Sequence, residues 1–173
     1  MNRLTHIAVW LQRMFHSRGF GIQSPSDYWL VRYVINEHWP YYQYATLGRD
    51  DDWLHRKLGR LYFRIANWRQ PTVISATDYQ PYFSAACNKA AFGKGYELTL
   101  LQADANDWQV EFNDFLAHAN ALSVLIVDGI WKNRQAWQQA IACEQLTVTF
   151  DLYYCGLALC DKKRTKHHYI INF

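Results

Sequence analysis

The sequence contains no hydrophobic run long enough to cross a membrane and has little cysteine, proline or glycine. No segment reaches the roughly 18 consecutive apolar residues of a spanning helix, so no membrane span is predicted. From Met1 to His16 apolar side chains fall on one helical face, but Gln12 and Arg13 interrupt them and no small-residue cleavage site follows. A helix packed on the domain or on a partner is therefore favoured over a signal peptide or a membrane-surface helix.

The cysteine pattern argues against a disulfide framework. Cys87, Cys143, Cys155 and Cys160 show no Cys-x-x-Cys spacing, and three of them lie in apolar segments. This pattern favours buried, reduced thiols and a cytoplasmic location. Half of the 173 residues are hydrophobic, which excludes a disordered chain. The net charge of +3, with both signs mixed along the chain, gives no strong nucleic-acid signal.

The length and the patterning predict one domain over residues 1–173, with an N-terminal helical segment at 1–70 and an α/β sheet portion at 71–173. Ser24 is the expected N-cap of a helix that ends near His38. The carboxylates of residues 50–52 are expected to begin the next helix.

That second helix carries a row of basic residues, Arg56, Lys57, Arg60 and Arg64, opposite its apolar face. Such a row can bind phosphate groups. A solvated helix face is the favoured interpretation, because charged rows on helices usually face water.

From Thr72 onward the pattern alternates between strands and helices. The predicted strands are Thr72–Ala76, Glu97–Gln102 and Leu122–Asp128, and the predicted helices are Pro81–Ala91, Trp108–Ala119 and Asn133–Cys143. Continuous apolar strands in such an alternation predict a largely parallel sheet that is covered on both faces. Only two residues separate Leu146–Leu152 from Cys155–Cys160, which predicts an antiparallel hairpin, and His168–Phe173 can add another strand.

The first strand-to-helix turn of this sheet contains no glycine. In doubly wound α/β proteins a nucleotide cofactor usually sits at this turn, and glycine lets the backbone approach it closely. Here the turn is Thr77-Asp78-Tyr79-Gln80, with side chains as large as tyrosine. The sequence therefore indicates a nucleotide-binding plan without its main binding device.

Specific motifs lie towards both ends of the chain. They are Arg18-Gly19-Phe20-Gly21-Ile22-Gln23-Ser24-Pro25, Tyr41-Tyr42, Ile130-Trp131 with Ala136-Trp137, the run from Leu146 to Leu159, and Lys166 to Phe173. Together they resemble a bacterial family of class I S-adenosylmethionine-dependent methyltransferase-like proteins, with its RGFG-x-HSP signature and closing hairpin. The resemblance implies a reduced Rossmann-like methyltransferase sheet, preceded by N-terminal helices. It thins out in the middle of the chain, where the cofactor would bind.

The chain departs from the family pattern in that middle part. The family's E-x-G-x-x-x-G turn is here Ser75 to Pro81, without the acid and without either glycine. From Cys87-Asn88-Lys89 the chain is expected to pass directly to the strand at Glu97–Gln102, which implies that the family's second strand and its ribose-binding acid are deleted. Val127 to Trp131 resembles a merger of the fourth and fifth strands, and Leu122–Asp128 aligns with either of two family strands.

The resemblance leaves five candidate cofactor-binding residues, which are Ala76, Asp78, Asp104, Asp128 and Trp131. Asp128 follows an apolar strand at the expected ligand-binding edge and is also the candidate catalytic residue. The alternative role for Asp128 is to cap the helix that begins near Asn133. Asp104 would face an adenine, and Trp131 would stack on a ring.

No metal site is expected. His167 and His168 are adjacent on a predicted strand, so their side chains point to opposite faces and do not share one ion. The metal-using members of the family need several oxygen ligands, of which one remains.

These features predict a methyltransferase-like protein that has lost S-adenosylmethionine binding and catalysis and is retained as a structural or protein-interaction module. Losing two or three cofactor hydrogen bonds weakens binding about a hundredfold or more. Exposed sheet edges and helix faces then predict a homo-oligomer or a protein partner. The alternatives are an active methyltransferase with an atypical pocket, and a binder of anionic lipid or nucleic acid that uses the basic row.

Overall fold

The computed structural model describes residues 3–16 and 19–173. Side-chain burial is described for residues 6–16 and 19–173. Two of the predicted features include residues outside these ranges. Arg18, the first residue of the N-terminal motif, lies outside them, and so do the first two residues of the predicted N-terminal helix.

The α/β sheet is mixed, and its strand order agrees with the expected plan. Its strands are β1 (Val73–Ser75), β2 (Ala91–Phe92), β3 (Leu98–Gln102), β4 (Val124–Asp128), β5 (Val148–Asp151), β6 (Cys155–Leu159) and β7 (His167–Ile170). The described residues form one seven-stranded sheet in the order β2-β1-β3-β4-β6-β5-β7. Strand β6 pairs antiparallel with both of its neighbours, and the remaining pairs are parallel. The predicted Rossmann-like sheet with a C-terminal antiparallel hairpin is confirmed.

The described residues form six α-helices, which are α1 (Arg3–Gln12), α2 (Pro25–Leu30), α3 (Trp53–Arg69), α4 (Gln80–Ala86), α5 (Trp108–His118) and α6 (Arg134–Ala142). Of these six, α2 and α3 begin at the predicted caps. The Asp27 N–H donates to Ser24 Oγ at the start of α2, and the N–H groups of Leu54 and His55 donate to Asp52 Oδ1 at the start of α3. Helix α2 continues as a π-helical turn that ends at Ile35, before the expected end near His38.

The core has two parts, one on each face of the sheet. Alternate residues of β4 show this division, since Val124 and Ile126 pack with α3 and α4 while Leu125 and Val127 pack with α5 and α6. Gly156 in β6 lies directly against the ring of Trp137, where a β-carbon would collide with the indole. The four cysteines are free, and Cys87, Cys155 and Cys160 are buried.

Two expectations for the segment after β1 are wrong. Helix α4 ends at Ala86 rather than at Ala91, where the chain has already become strand β2. The strand predicted to be deleted is instead shortened: β2 has two exposed residues and pairs parallel with β1. Periodicity could not reveal it, because two residues carry no periodic signal. The next residue is Gly93, so no acid follows this strand.

The prediction that the basic face of α3 is solvated is also wrong. Arg64 is only 8% exposed, and Arg56, Lys57 and Arg60 are half-buried. The segment between α2 and α3 covers this face, since Tyr44 and the carbonyls of Val34 and Ile35 contact Arg64. Among the described residues no helix is both long and apolar enough to span a membrane.

Candidate functional site at the carboxyl edge of the sheet

The five predicted site residues lie at one edge of the sheet, Asp128 at the end of β4 and the other four in the loops that follow the strands. Strands β1, β3 and β4 are parallel neighbours, and Gln102 at the end of β3 pairs with Asp128 at the end of β4. Ala76 and Asp78 follow β1, Asp104 follows β3, and Trp131 follows β4. Parallel topology brings these loops to the carboxyl edge, where α/β proteins bind ligands.

Asp128 is buried beneath helix α3. Its Oδ1 accepts a hydrogen bond from the Tyr62 hydroxyl at 2.6 Å. Burial raises the pKa of Asp128, and the hydrogen bond from Tyr62 opposes that effect without cancelling it. The alternative role as a helix cap is wrong, because Asn133 Oδ1 accepts from the Ala136 N–H and caps α6 itself.

The turn after β1 is closed by Tyr79. This residue has a φ of +58°, in the left-handed region that favours glycine, and the Asp78 carboxylate accepts from its N–H at 2.7 Å. Its side chain points inward and is 5% exposed. The ring packs edge-on against Tyr62, with centroids 4.7 Å apart, and stacks on His55 at 4.2 Å.

Tyr82 completes what we call the tyrosine cluster, which consists of Tyr62, Tyr79 and Tyr82. Its ring is buried against Gly59 of α3, where a β-carbon would collide with it. Its hydroxyl donates to Asp51 Oδ2 at 2.6 Å. Burial raises the pKa of all three phenols, so they are neutral hydrogen-bond donors at physiological pH.

Asp78 is exposed, and its carboxylate contacts His55 and its own turn. Its Oδ1 lies 3.4 Å from His55 Nε2, while Asp51 Oδ2 lies 2.9 Å from His55 Nδ1. Burial lowers the pKa of His55, but hydrogen bonds to the two carboxylates outweigh it and the net shift is upward. The imidazole therefore links the start of α3 to the turn after β1.

The remaining predicted residues are separate from the tyrosine cluster or contribute only backbone. Asp104 is exposed and pairs with Lys132 at 3.0 Å. Trp131 is half-buried and packs against the core, and the Ala76 carbonyl accepts from Gln80 Nε2 at 3.1 Å. The structure thus brings Asp78 and Asp128 to the tyrosine cluster and leaves Asp104 at the surface.

Sequence reasoning missed Tyr62 and His55. Tyr62 lies on the apolar face of α3 and carried only a core signal, and His55 had no nearby histidine or cysteine to suggest a site. Nothing in the sequence indicated that α3 would lie across the carboxyl edge.

The cavities formed by the described residues point to another part of the chain. Of five cavities formed by these residues, none is lined by a predicted site residue, and three border basic residues of α3. Within the described ranges no group of three or more His, Cys, Asp or Glu residues could hold a metal ion. No family model, curated protein or solved structure matches the chain.

Proposed function

We propose that this protein is a methyltransferase-like pseudoenzyme, which has lost S-adenosylmethionine binding and catalysis and acts as a structural or protein-interaction module. The methyltransferase part of the proposal depends on the motifs at the two ends of the chain. The loss of cofactor binding depends on one observation, the inward side chain of Tyr79.

A cofactor bound at the turn after β1 would occupy the space of the Tyr79 ring. Removing a buried aromatic ring from its packing costs about 3–5 kcal/mol. At tenfold per 1.4 kcal/mol, that cost would weaken binding by two to three orders of magnitude or more. The glycine turn and the acid after the second strand, which would offset it, are both missing.

The interaction role is supported by the large aromatic side chains exposed between residues 7 and 53. They are Trp10, Phe15, Phe20, Tyr28, Trp29, Tyr33, Trp39, Tyr42 and Trp53. Aromatic residues are enriched at protein interfaces, so this set of exposed side chains favours binding of a protein partner or of a second copy.

Thermal unfolding with and without 1 mM S-adenosylmethionine, repeated with the demethylated product, tests the loss of cofactor binding. A ligand at one hundred times its dissociation constant stabilises a protein by about 2.7 kcal/mol. For a domain of this size that is a shift of roughly 5–10 °C. We expect no shift with either ligand. A shift that persists when the basic residues of α3 are substituted would instead support the active methyltransferase with an atypical pocket.

Sedimentation velocity over a range of protein concentrations tests the interaction role. We expect self-association, or a complex with a partner recovered from the native source, that weakens when Trp39 and Tyr42 are both replaced by serine. A chain that stays monomeric and forms no complex would contradict this part of the proposal.

A further inference from the structure

A cavity of about 400 Å³ lies between α3 and the segment that follows α2. We call it the basic cleft, and its lining includes Asn36, Trp53, Arg56, Lys57, Arg60, Arg64 and Phe173. Its size falls within the range of small-molecule sites, which is about 300–1,000 Å³.

The basic cleft carries more positive than negative charge, with four cations of α3 and the carboxylate of Glu37 in its lining. Among the described residues, none of the four cations of α3 has a carboxylate within ion-pair distance. Glu37 also lines the cleft, and its Oε2 accepts from the Tyr41 hydroxyl at 2.8 Å. Half-buried cations without a counterion are costly, so a bound anion would stabilise them.

Two of the arginines build the walls of the cleft. Arg64 donates to the carbonyls of Val34 and Ile35 at 2.7 and 2.8 Å. Arg56 donates to the carbonyls of Gly48 and Asp51, both at 2.7 Å. These bonds hold the backbone around the cleft in place and leave ligand binding to the other residues.

Two donors on residues that line the cleft have almost no accessible surface and no hydrogen-bond partner among the described residues. They are Arg60 Nε and Asn36 Nδ2. The Arg60 guanidinium is held over the Tyr44 ring at 4.8 Å, and its Nη2 makes only a long bond of 3.4 Å to the Tyr44 carbonyl. Buried donors are almost always satisfied, so an unpaired pair on residues that line one cavity indicates an acceptor that the chain itself does not supply.

Lys57 adds charge beside an aromatic wall. Its Nζ lies 4.4 Å from the centre of the Phe173 ring and 5.1 Å from that of Trp53. Burial lowers the pKa of Lys57 to about 8, and the nearby Arg64 acts in the same direction. An anion in the cleft would reverse that shift.

We propose that the basic cleft binds a small organic anion, with the side chains of Arg60 and Asn36 turning towards the cavity to donate to its oxyanion group and a flat apolar group lying against Trp53 and Phe173. The oxyanion is a carboxylate or a phosphate, since both accept several hydrogen bonds from such donors. A small molecule fits better than a nucleic acid or a lipid surface, because the unpaired donors belong to residues that line a cavity and a polymer backbone would not reach them.

Titration of tryptophan fluorescence and of the unfolding temperature tests this site. The probes are phenyl phosphate, benzoate, inorganic phosphate and the neutral benzyl alcohol. We expect saturable binding of phenyl phosphate or benzoate, weaker binding of inorganic phosphate and none of benzyl alcohol. The stronger of the two aromatic probes identifies the oxyanion. Equal binding of benzyl alcohol, or no binding of any anion, would overturn the proposal.

Arg60→Gln is expected to weaken binding about tenfold or more, because a charge-assisted bond is lost. The matched control is Arg32→Gln, on the exposed side of the preceding helical segment, which should leave binding unchanged. Equal losses in both variants would indicate non-specific charge attraction and contradict a site.

Asn36→Asp tests the charge argument both without and with an anion. It places a carboxylate among the unbalanced cations, so we expect a higher unfolding temperature without ligand and at least a tenfold loss of anion binding. A lower unfolding temperature together with unchanged anion binding would contradict the charge argument.

The same variants separate this proposal from the loss of cofactor binding. S-adenosylmethionine carries both a carboxylate and a flat ring. A wild-type shift that disappears in Arg60→Gln therefore assigns S-adenosylmethionine binding to the basic cleft. A shift that survives in Arg60→Gln assigns it to the carboxyl edge.

Discussion

The carboxyl edge of the sheet and the basic cleft are built from the same helix, α3, and differ in almost every physical respect. At the carboxyl edge, Tyr62 and His55 are paired with carboxylates of other segments, and aromatic rings fill the space. At the basic cleft, Arg60 and Lys57 have no carboxylate partner among the described residues, and a cavity remains.

The fold predicts a ligand at the carboxyl edge, whereas, among the described residues, the two donors without a hydrogen-bond partner and four cations without a carboxylate partner lie at the basic cleft. Topology predicts a ligand at the carboxyl edge, but Tyr62 and Tyr82 there donate to the carboxylates of Asp128 and Asp51 within the protein. Unsatisfied donors and unbalanced charge are found on another side of α3. Helix α3 therefore helps to fill the carboxyl edge with side chains and leaves the basic cleft open.

The largest effect is expected from opening the tyrosine cluster. Tyr82→Ala removes a buried ring that packs against Gly59 and should lower the free energy of unfolding by about 3–5 kcal/mol. Urea denaturation measures the change. The control is Tyr42→Ala, because Tyr42 is 98% exposed and its loss should change stability by less than about 0.5 kcal/mol. Small and equal changes in the free energy of unfolding of the two variants would contradict a packed tyrosine cluster at the carboxyl edge.

A smaller and pH-dependent effect is expected from Tyr62→Phe. The Asp128 carboxylate would stay buried without its donor, at a cost of about 1–3 kcal/mol. The pKa of Asp128 is already raised, so its ionisation lowers stability as the pH rises through that value, and the substitution raises it further. The difference in urea denaturation between the two proteins should therefore grow as the pH rises above the folded pKa of Asp128 in the wild type. A difference that is independent of pH would contradict an ionised Asp128.

The smallest effect is expected from His55→Gln. The pKa of His55 is raised, so its ion pairs stabilise the protein below about pH 6.5 and this contribution is lost as the pH rises through the folded value. The side chain is about a third exposed and solvent screens the pairs, so the loss should be at most about 1 kcal/mol. Thermal unfolding at pH 5.5 and 8.5 should show a larger difference at the lower pH. The reverse order would contradict the two ion pairs.

Local chemistry made much of the fold predictable. Ser24 and Asp52 are short polar side chains next to helical periodicity, and each caps the helix that follows it. The two-residue connection between β5 and β6 permits only antiparallel pairing. The absence of glycine from the turn that contains Tyr79 was also visible in the sequence. The row of basic residues on α3 was visible there too.

Longer-range features could not be predicted. The sequence does not say that α3 lies over the carboxyl edge, so the bond between Tyr62 and Asp128 was invisible, since the two residues are 66 positions apart. The burial of Arg64 depends on carbonyls 29 and 30 positions away along the chain. Strand β2 was missed because it consists of two residues that pair with β1 without any pattern of their own.

The sequence by itself therefore determined the starts of α2 and α3, the alternation that makes a largely parallel sheet, and the absence of glycine from the turn after β1, because each depends on neighbours along the chain. Only the tertiary structure decided that Tyr79 fills the turn and that the cations of α3 line a cleft rather than face water. Those outcomes depend on which segment covers α3, and burial, charge compensation and hydrogen-bond satisfaction are properties of the packed chain.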